Sequence, residues 1–130
     1  MAVKSYQIPL PIYRQIVKVY TGEVYKDITT KIEKDYELEP FEYDFQTASS
    51  LVVTNKEDKL IHFILILPKE VSYSTLAHEC LHCAWDILEH VNVEVTNSNH
   101  EALAYLVGHL MDHAIEIIDK YNGNTKTKSN

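Results

Sequence analysis

Leu60-Ile-His-Phe-Ile-Leu-Ile-Leu-Pro68 and the later stretch Thr75-Leu-Ala-His-Glu-Cys-Leu-His-Cys-Ala-Trp-Asp-Ile-Leu-Glu-His90 decide how this chain is built. The first is apolar from Leu60 to Leu67 except for His62. That pattern predicts a buried strand, closed by Pro68, which has no N–H for a ladder. The second contains no Gly or Pro and is rich in helix formers, with Ser72 or Ser74 placed to cap it, so it predicts a helix. Counted at about 100° per residue from His78, the side chains of Leu76, Cys80, Cys83 and Ile87 share one sector, with Ala77, Leu81, Ala84 and Leu88 beside them. These eight form a surface wide enough to face a core. His78, Glu79, His82, Asp86 and Glu89 form the remaining polar strip, with Trp85 at its border.

Upstream of this pair of elements the periods are mixed. Ile16-Val-Lys-Val-Tyr20 reads as a strand ending at Thr21-Gly22; Val24, Ile28, Ile32 and Tyr36 then recur every fourth residue, an amphipathic helix that stops before Pro40. Phe41-Glu-Tyr-Asp-Phe-Gln46 alternates aromatic and polar, the pattern of a strand with one wet face. Leu51-Val-Val-Thr54 precedes the polar tetrapeptide Asn55-Lys-Glu-Asp58, a hairpin connection into the Leu60 strand. Downstream, Asn92 to Asn99 is a polar connection, and Ser98-Asn-His-Glu101 has the spacing of a capping box opening a second long helix to about Tyr121. The expected fold class is α+β: a small antiparallel or mixed sheet from the N-terminal half, packed against the histidine-bearing helix and a second long C-terminal helix. Residues 1–121 are expected to form a single domain and 122–130 a polar tail.

A chain of 130 residues and 15.0 kDa lies within the usual size of one domain. Its formal charge of -7 gives it no general attraction to a phosphate backbone or an anionic bilayer, so neither nucleic acid nor a membrane is an expected partner. The N-terminal ten residues carry no apolar signal segment, and the longest apolar run, Phe63 to Leu67, is too short to span a bilayer. Cys80 and Cys83, three apart on one helix, do not make a disulfide framework. A reducing compartment, the cytoplasm, is expected.

His78 and His82 are i and i+4 on one helical face, so their imidazoles can converge on one ion at the roughly 2.0–2.1 Å that zinc requires. Glu79 lies a quarter turn round, placed to reach a water held in an open coordination position and act as general base. The three form a His-Glu-x-x-His motif on a helix, whose chemistry is a zinc site with the glutamate as base; the alternative is a solvated helix face. Two histidines hold zinc weakly, and a third ligand is needed. Glu101 is the favoured one, nineteen residues after His82, far enough for a second helix to begin alongside. On that helix Glu101, Tyr105, His109, Asp112 and Glu116 form a polar strip, and Leu103, Leu106, Val107, Leu110, Met111, Ala114, Ile117 and Ile118 the opposite surface. Two polar seams facing each other across an ion are therefore expected, with Gly108 permitting close approach. His100, Asp112 and Glu94 are the rival ligands, and the capping glutamate is the other reading of Glu101.

Thr75-Leu-Ala-His-Glu-Cys-Leu-His82 followed by Asn99-His-Glu-Ala-Leu-Ala-Tyr-Leu-Val-Gly108 resembles the gluzincin branch of zinc metallopeptidases, and more closely the small metallopeptidases encoded by bacteriophages and prophages. The resemblance covers about Leu60 to Met111. It implies His78 and His82 as zinc ligands, Glu79 as base and acid, Glu101 as third ligand, and, for a phage protein, the host cytoplasm as location. The larger gluzincins place an aspartate one turn after the glutamate ligand, where this chain has Tyr105. They also bring an electrophilic side chain from a second domain, which has no counterpart here.

The leading expectation is a zinc-dependent endopeptidase hydrolysing a bond in a peptide or protein substrate. The alternative is a non-catalytic, zinc-stabilised module engaging a host protein. Tyr105 and His109, and Tyr73 ahead of the motif, are the candidate oxyanion donors. His62, alone in an apolar strand, reads as a core histidine with a contact to the site as its other possibility. Cys80 and Cys83 fall on the core surface opposite the histidines and read as buried small hydrophobes.

Overall fold

The structure, a computed structural model, describes residues 2–41 and 48–123. Strands β1 (Lys4–Leu10), β2 (Gln15–Gly22), β3 (Ser49–Thr54) and β4 (Ile61–Pro68) form one mixed sheet in the order β1-β2-β4-β3. Helix α1 (Tyr25–Tyr36) follows β2, and α2 (Tyr73–His90) and α3 (Glu101–Tyr121) follow β4. The α+β class expected from the sequence is the one observed. β1 pairs antiparallel with β2 and β3 antiparallel with β4, while β2 and β4 run parallel, Val17 opposite Phe63.

The interior position of β4 accounts for its unbroken apolar run. Phe63, Leu65 and Leu67 enter one core with α2 and α3, and Ile64 and Ile66 enter a second with α1. A strand covered on both faces needs apolar residues at every position rather than at every second one. The helices thus flank the sheet, α1 on one face and α2 with α3 on the other. Gly22 lets α1 settle against the end of β2: a Cβ there would stand 3.1 Å from Ile28 Cγ1.

β1 was not foreseen. Its Tyr6, Ile8 and Leu10 alternate with Ser5, Gln7 and Pro9 and turn inward, and a proline in a strand is accepted where the strand is at an edge, as β1 is. A 3-10 turn over Pro11–Tyr13, with Arg14 in the left-handed region at φ 53°, joins it to β2. The β3–β4 hairpin is as expected. Asn55 Oδ1 accepts the Glu57 amide at 2.8 Å, Asn55 N–H donates to the Leu60 carbonyl at 3.1 Å, and Lys59 takes φ 58°. The strand expected over Phe41-Gln46 lies, from Glu42 onward, outside the described residues, as do residues 124–130 of the expected tail.

Ser72 caps α2, its Oγ accepting the Thr75 amide at 3.1 Å. Beyond the helix end at His90, Asn92 adopts φ 63° and the Val93 amide reaches back to the Leu88 carbonyl at 2.8 Å. The capping box expected at Ser98 and Glu101 does not form. Asn99 organises this connection instead, its Oδ1 accepting the Thr96 amide at 2.6 Å and Thr96 Oγ1 at 2.9 Å and its Nδ2 donating to the Glu94 carbonyl. Ser98 Oγ is engaged with Thr96 Oγ1 at 3.1 Å, so α3 starts without a side-chain cap. No helix among the described residues is long and apolar enough to cross a membrane.

Candidate metal centre

The roll of α2 about its own axis decides what it shows to solvent. Leu76, Cys80, Cys83, Ala84, Ile87 and Leu88 are buried. Burial of a large apolar side chain is worth about 1.5–3 kcal/mol, so the helix is held with this face inward far more strongly than any surface hydrogen bond could turn it. His78 and His82 are carried to the outside, where the His78 side chain is 66% exposed. Leu81 and Ala77, expected at the edge of the core surface, are exposed, as is Trp85.

The two imidazoles meet. His78 Nε2 and His82 Nε2 are 3.2 Å apart, with ring centroids separated by 4.8 Å and planes inclined at 70°. In this arrangement one ring donates and the other accepts. The edge of a tetrahedron with 2.0–2.1 Å bonds is about 3.3–3.4 Å, so the two nitrogens sit almost where two zinc ligands must sit. Glu79 Oε2 is 4.0 Å from His78 Nε2, and its side chain, 15% exposed, is held much closer to the protein surface. Asp86, one turn beyond His82, has its carboxyl pKa raised by burial and by Glu89, with His82 pulling it back down.

The expected third ligand does not join them. Among the described residues no three His, Cys, Asp or Glu side chains form a group able to hold a metal. α2 and α3 both lay their apolar faces on the sheet, α3 through Leu106, Leu110, Ala114 and Ile117, so their polar seams both look outward instead of facing each other. Glu101 lines a groove on the outer face of α3 with Ala104, Tyr105, Gly108, His109 and Asp112. Gly108 brings nothing close, since a Cβ there would meet no atom within 4 Å. The rivals fare no better: Asp112 shares the groove, His100 is exposed ahead of α3, and Glu94 lines a different hollow with Trp85 and Glu89.

Tyr105, 77% exposed, and His109 belong to that groove and make no hydrogen bond or ring contact with His78 or His82 among the described residues. His109 Nε2–H donates to the Pro9 carbonyl at 3.0 Å, and His113 Nδ1–H donates to the His109 carbonyl at 3.0 Å. Tyr73 is 71% exposed in the first turn of α2. His62 shares the parity of Ile64 and Ile66 and lies on the α1 face of the sheet, its ring 5.0 Å from that of Tyr36 and its Nε2 3.6 Å from Asp58 Oδ2. The sheet therefore separates it from α2, which removes the contact with the site that the sequence left open. Cys80 and Cys83 are buried, and burial, the largest cause in each case, pushes both thiols up to about 12. Sequence reading had not picked out the free edge of β3, which packs against α2 and among the described residues pairs only with β4.

Comparison of the chain with protein-family profiles, curated proteins and solved structures finds no match.

Proposed function

We propose that the protein is a zinc-dependent metallopeptidase in which His78 and His82 supply two ligands and Glu79 is the general base. The observation that carries this reading is the 3.2 Å approach of the two Nε2 atoms with the Glu79 carboxylate beside them. The donor pair fits zinc in type and in spacing. Zinc, when bound, supplies Lewis-acid polarisation of a carbonyl and lowers the pKa of water toward neutrality. Glu79 takes the proton of the attacking water and returns it to the leaving amine. The outer edge of β3, which packs against α2 and has no strand partner among the described residues, offers its backbone groups to an extended peptide. Glu101 is the proposed third ligand. Its side chain has no hydrogen bond or ion pair among the described residues, and it must move to reach the histidines.

One set of variants tests the assignment. The wild-type chain should take up about one equivalent of zinc, and His78→Ala or His82→Ala should abolish this; uptake below about half an equivalent after loading removes the site. Glu79→Gln should keep the metal and lose cleavage of a peptide library, whereas cleavage that survives the change defeats the mechanism. Glu101→Ala should weaken zinc binding roughly tenfold or more, and an unchanged affinity removes Glu101 from the site. The exposure of His78 favours a second reading, a zinc-stabilised binding module without catalysis, which zinc uptake with no cleavage by the wild-type chain would select.

A further inference from the structure

Ile12 and Tyr105, 88% and 77% exposed, are the two most exposed large apolar side chains of the described residues, and they line the same cleft. Its volume is about 350 Å³. One wall is the turn between β1 and β2, the other the first turns of α3, with Leu10 and Leu106 among its lining residues. Its walls are tied together: the His109 ring donates to the Pro9 carbonyl at 3.0 Å, and Pro11 together with the left-handed Arg14 fixes the course of the turn. Such an opening is preformed, and it gathers two exposed apolar side chains beside a concave apolar lining, the shape that receives a single apolar side chain.

The charge beside it says what fits. Tyr105 and His109 also line the adjoining groove, whose charged residues are Glu101 and Asp112, and no Lys or Arg lines either hollow. A second copy of this chain would bring the same two carboxylates and a further formal charge of -7 against them. An anionic bilayer or a nucleic acid would meet the same repulsion. We propose that this cleft and groove dock an extended segment of a partner protein in which one bulky apolar side chain fills the cleft and a neighbouring Lys or Arg lies over Asp112. The surface is distinct from the histidine pair and does not require zinc.

The probe is a fluorescein-labelled nine-residue peptide with one central Phe flanked by two Lys in a Gly/Ser background, titrated with the full chain and read by fluorescence polarisation. Saturable binding with a Kd below about 1 mM is expected. It should weaken at least tenfold when the peptide Phe becomes Ser or the protein carries Ile12→Ser, and severalfold when the peptide Lys become Glu or the protein carries Asp112→Asn. Ile12 is too exposed for its replacement to threaten folding, and circular dichroism of the variant checks this. Binding should persist in His78→Ala/His82→Ala with chelator present, so loss of the zinc reading leaves this one standing. Binding indifferent to Ile12→Ser, no saturation at any soluble concentration, a concentration-dependent dimer that Ile12→Ser dissolves, or preferential binding to anionic phosphatidylserine vesicles would each overturn the proposal.

Discussion

Two histidines four residues apart on a helix must stand about 40° from each other around its axis, and this geometry alone brings His78 and His82 together at 3.2 Å. That much could be read from the spacing, because both side chains belong to one rigid element. Glu101 could not be read the same way: its position relative to the histidines depends on how two helices roll against a sheet, a balance among many buried contacts that spacing does not record. Cys80 and Cys83 illustrate the legible case again, since the same wheel that turns the histidines outward turns the thiols inward. With 0% and 1% exposure and their pKa pushed to about 12, they should resist iodoacetamide in the native protein at pH 8 and react promptly in urea. Mass spectrometry of the alkylated chain measures this. Alkylation at the same rate in both conditions would contradict the burial described.

Helix boundaries depend on local chemistry, and here two helices make different use of it. α2 begins with a serine cap, and Ser72→Ala should cost about 1 kcal/mol in urea denaturation. α3 has no such cap, and its approach is fixed by Asn99, which holds Thr96 and the Glu94 carbonyl. Asn99→Ala should therefore cost more than Ser72→Ala, on the order of 1–3 kcal/mol, since several polar groups lose their partner together. An Asn99→Ala variant as stable as the wild type would show that water replaces these bonds without loss. α1, β2, β3, β4, α2 and α3 were all visible in the sequence through their periods and stop signals. β1 was not, although Tyr6, Ile8 and Leu10 alternate with Ser5, Gln7 and Pro9 as one buried face requires; the alternation spans only three apolar residues and includes a proline, which a sheet accepts at its edge. The capping box was read from a valid spacing, but an asparagine one residue from the serine won the competition for the same turn.

At the scale of the molecule, the strand order β1-β2-β4-β3 was beyond the reach of periodicity, which showed that the Leu60 strand was buried but not which neighbours buried it. The order makes the sheet two antiparallel hairpins joined along one parallel seam, Val17 to Gly22 against Phe63 to Pro68. Each hairpin closes through a short connection, whereas the seam unites residues far apart in the chain and carries a larger loop-closure cost. Conservative truncations confined to the seam, such as Val19→Ala or Leu65→Ala, should then raise the unfolding rate more than they lower the folding rate if the two halves zip together last. Stopped-flow chevrons would show the reverse if the seam is the nucleus. Because α1 packs over β2 and β4 on one side of that junction, while on the other α2 lies on β3 and β4 and α3 on β1 and β2, α1 and the α2–α3 contact act as clasps across a suture, and loosening either should let the halves part before they unravel.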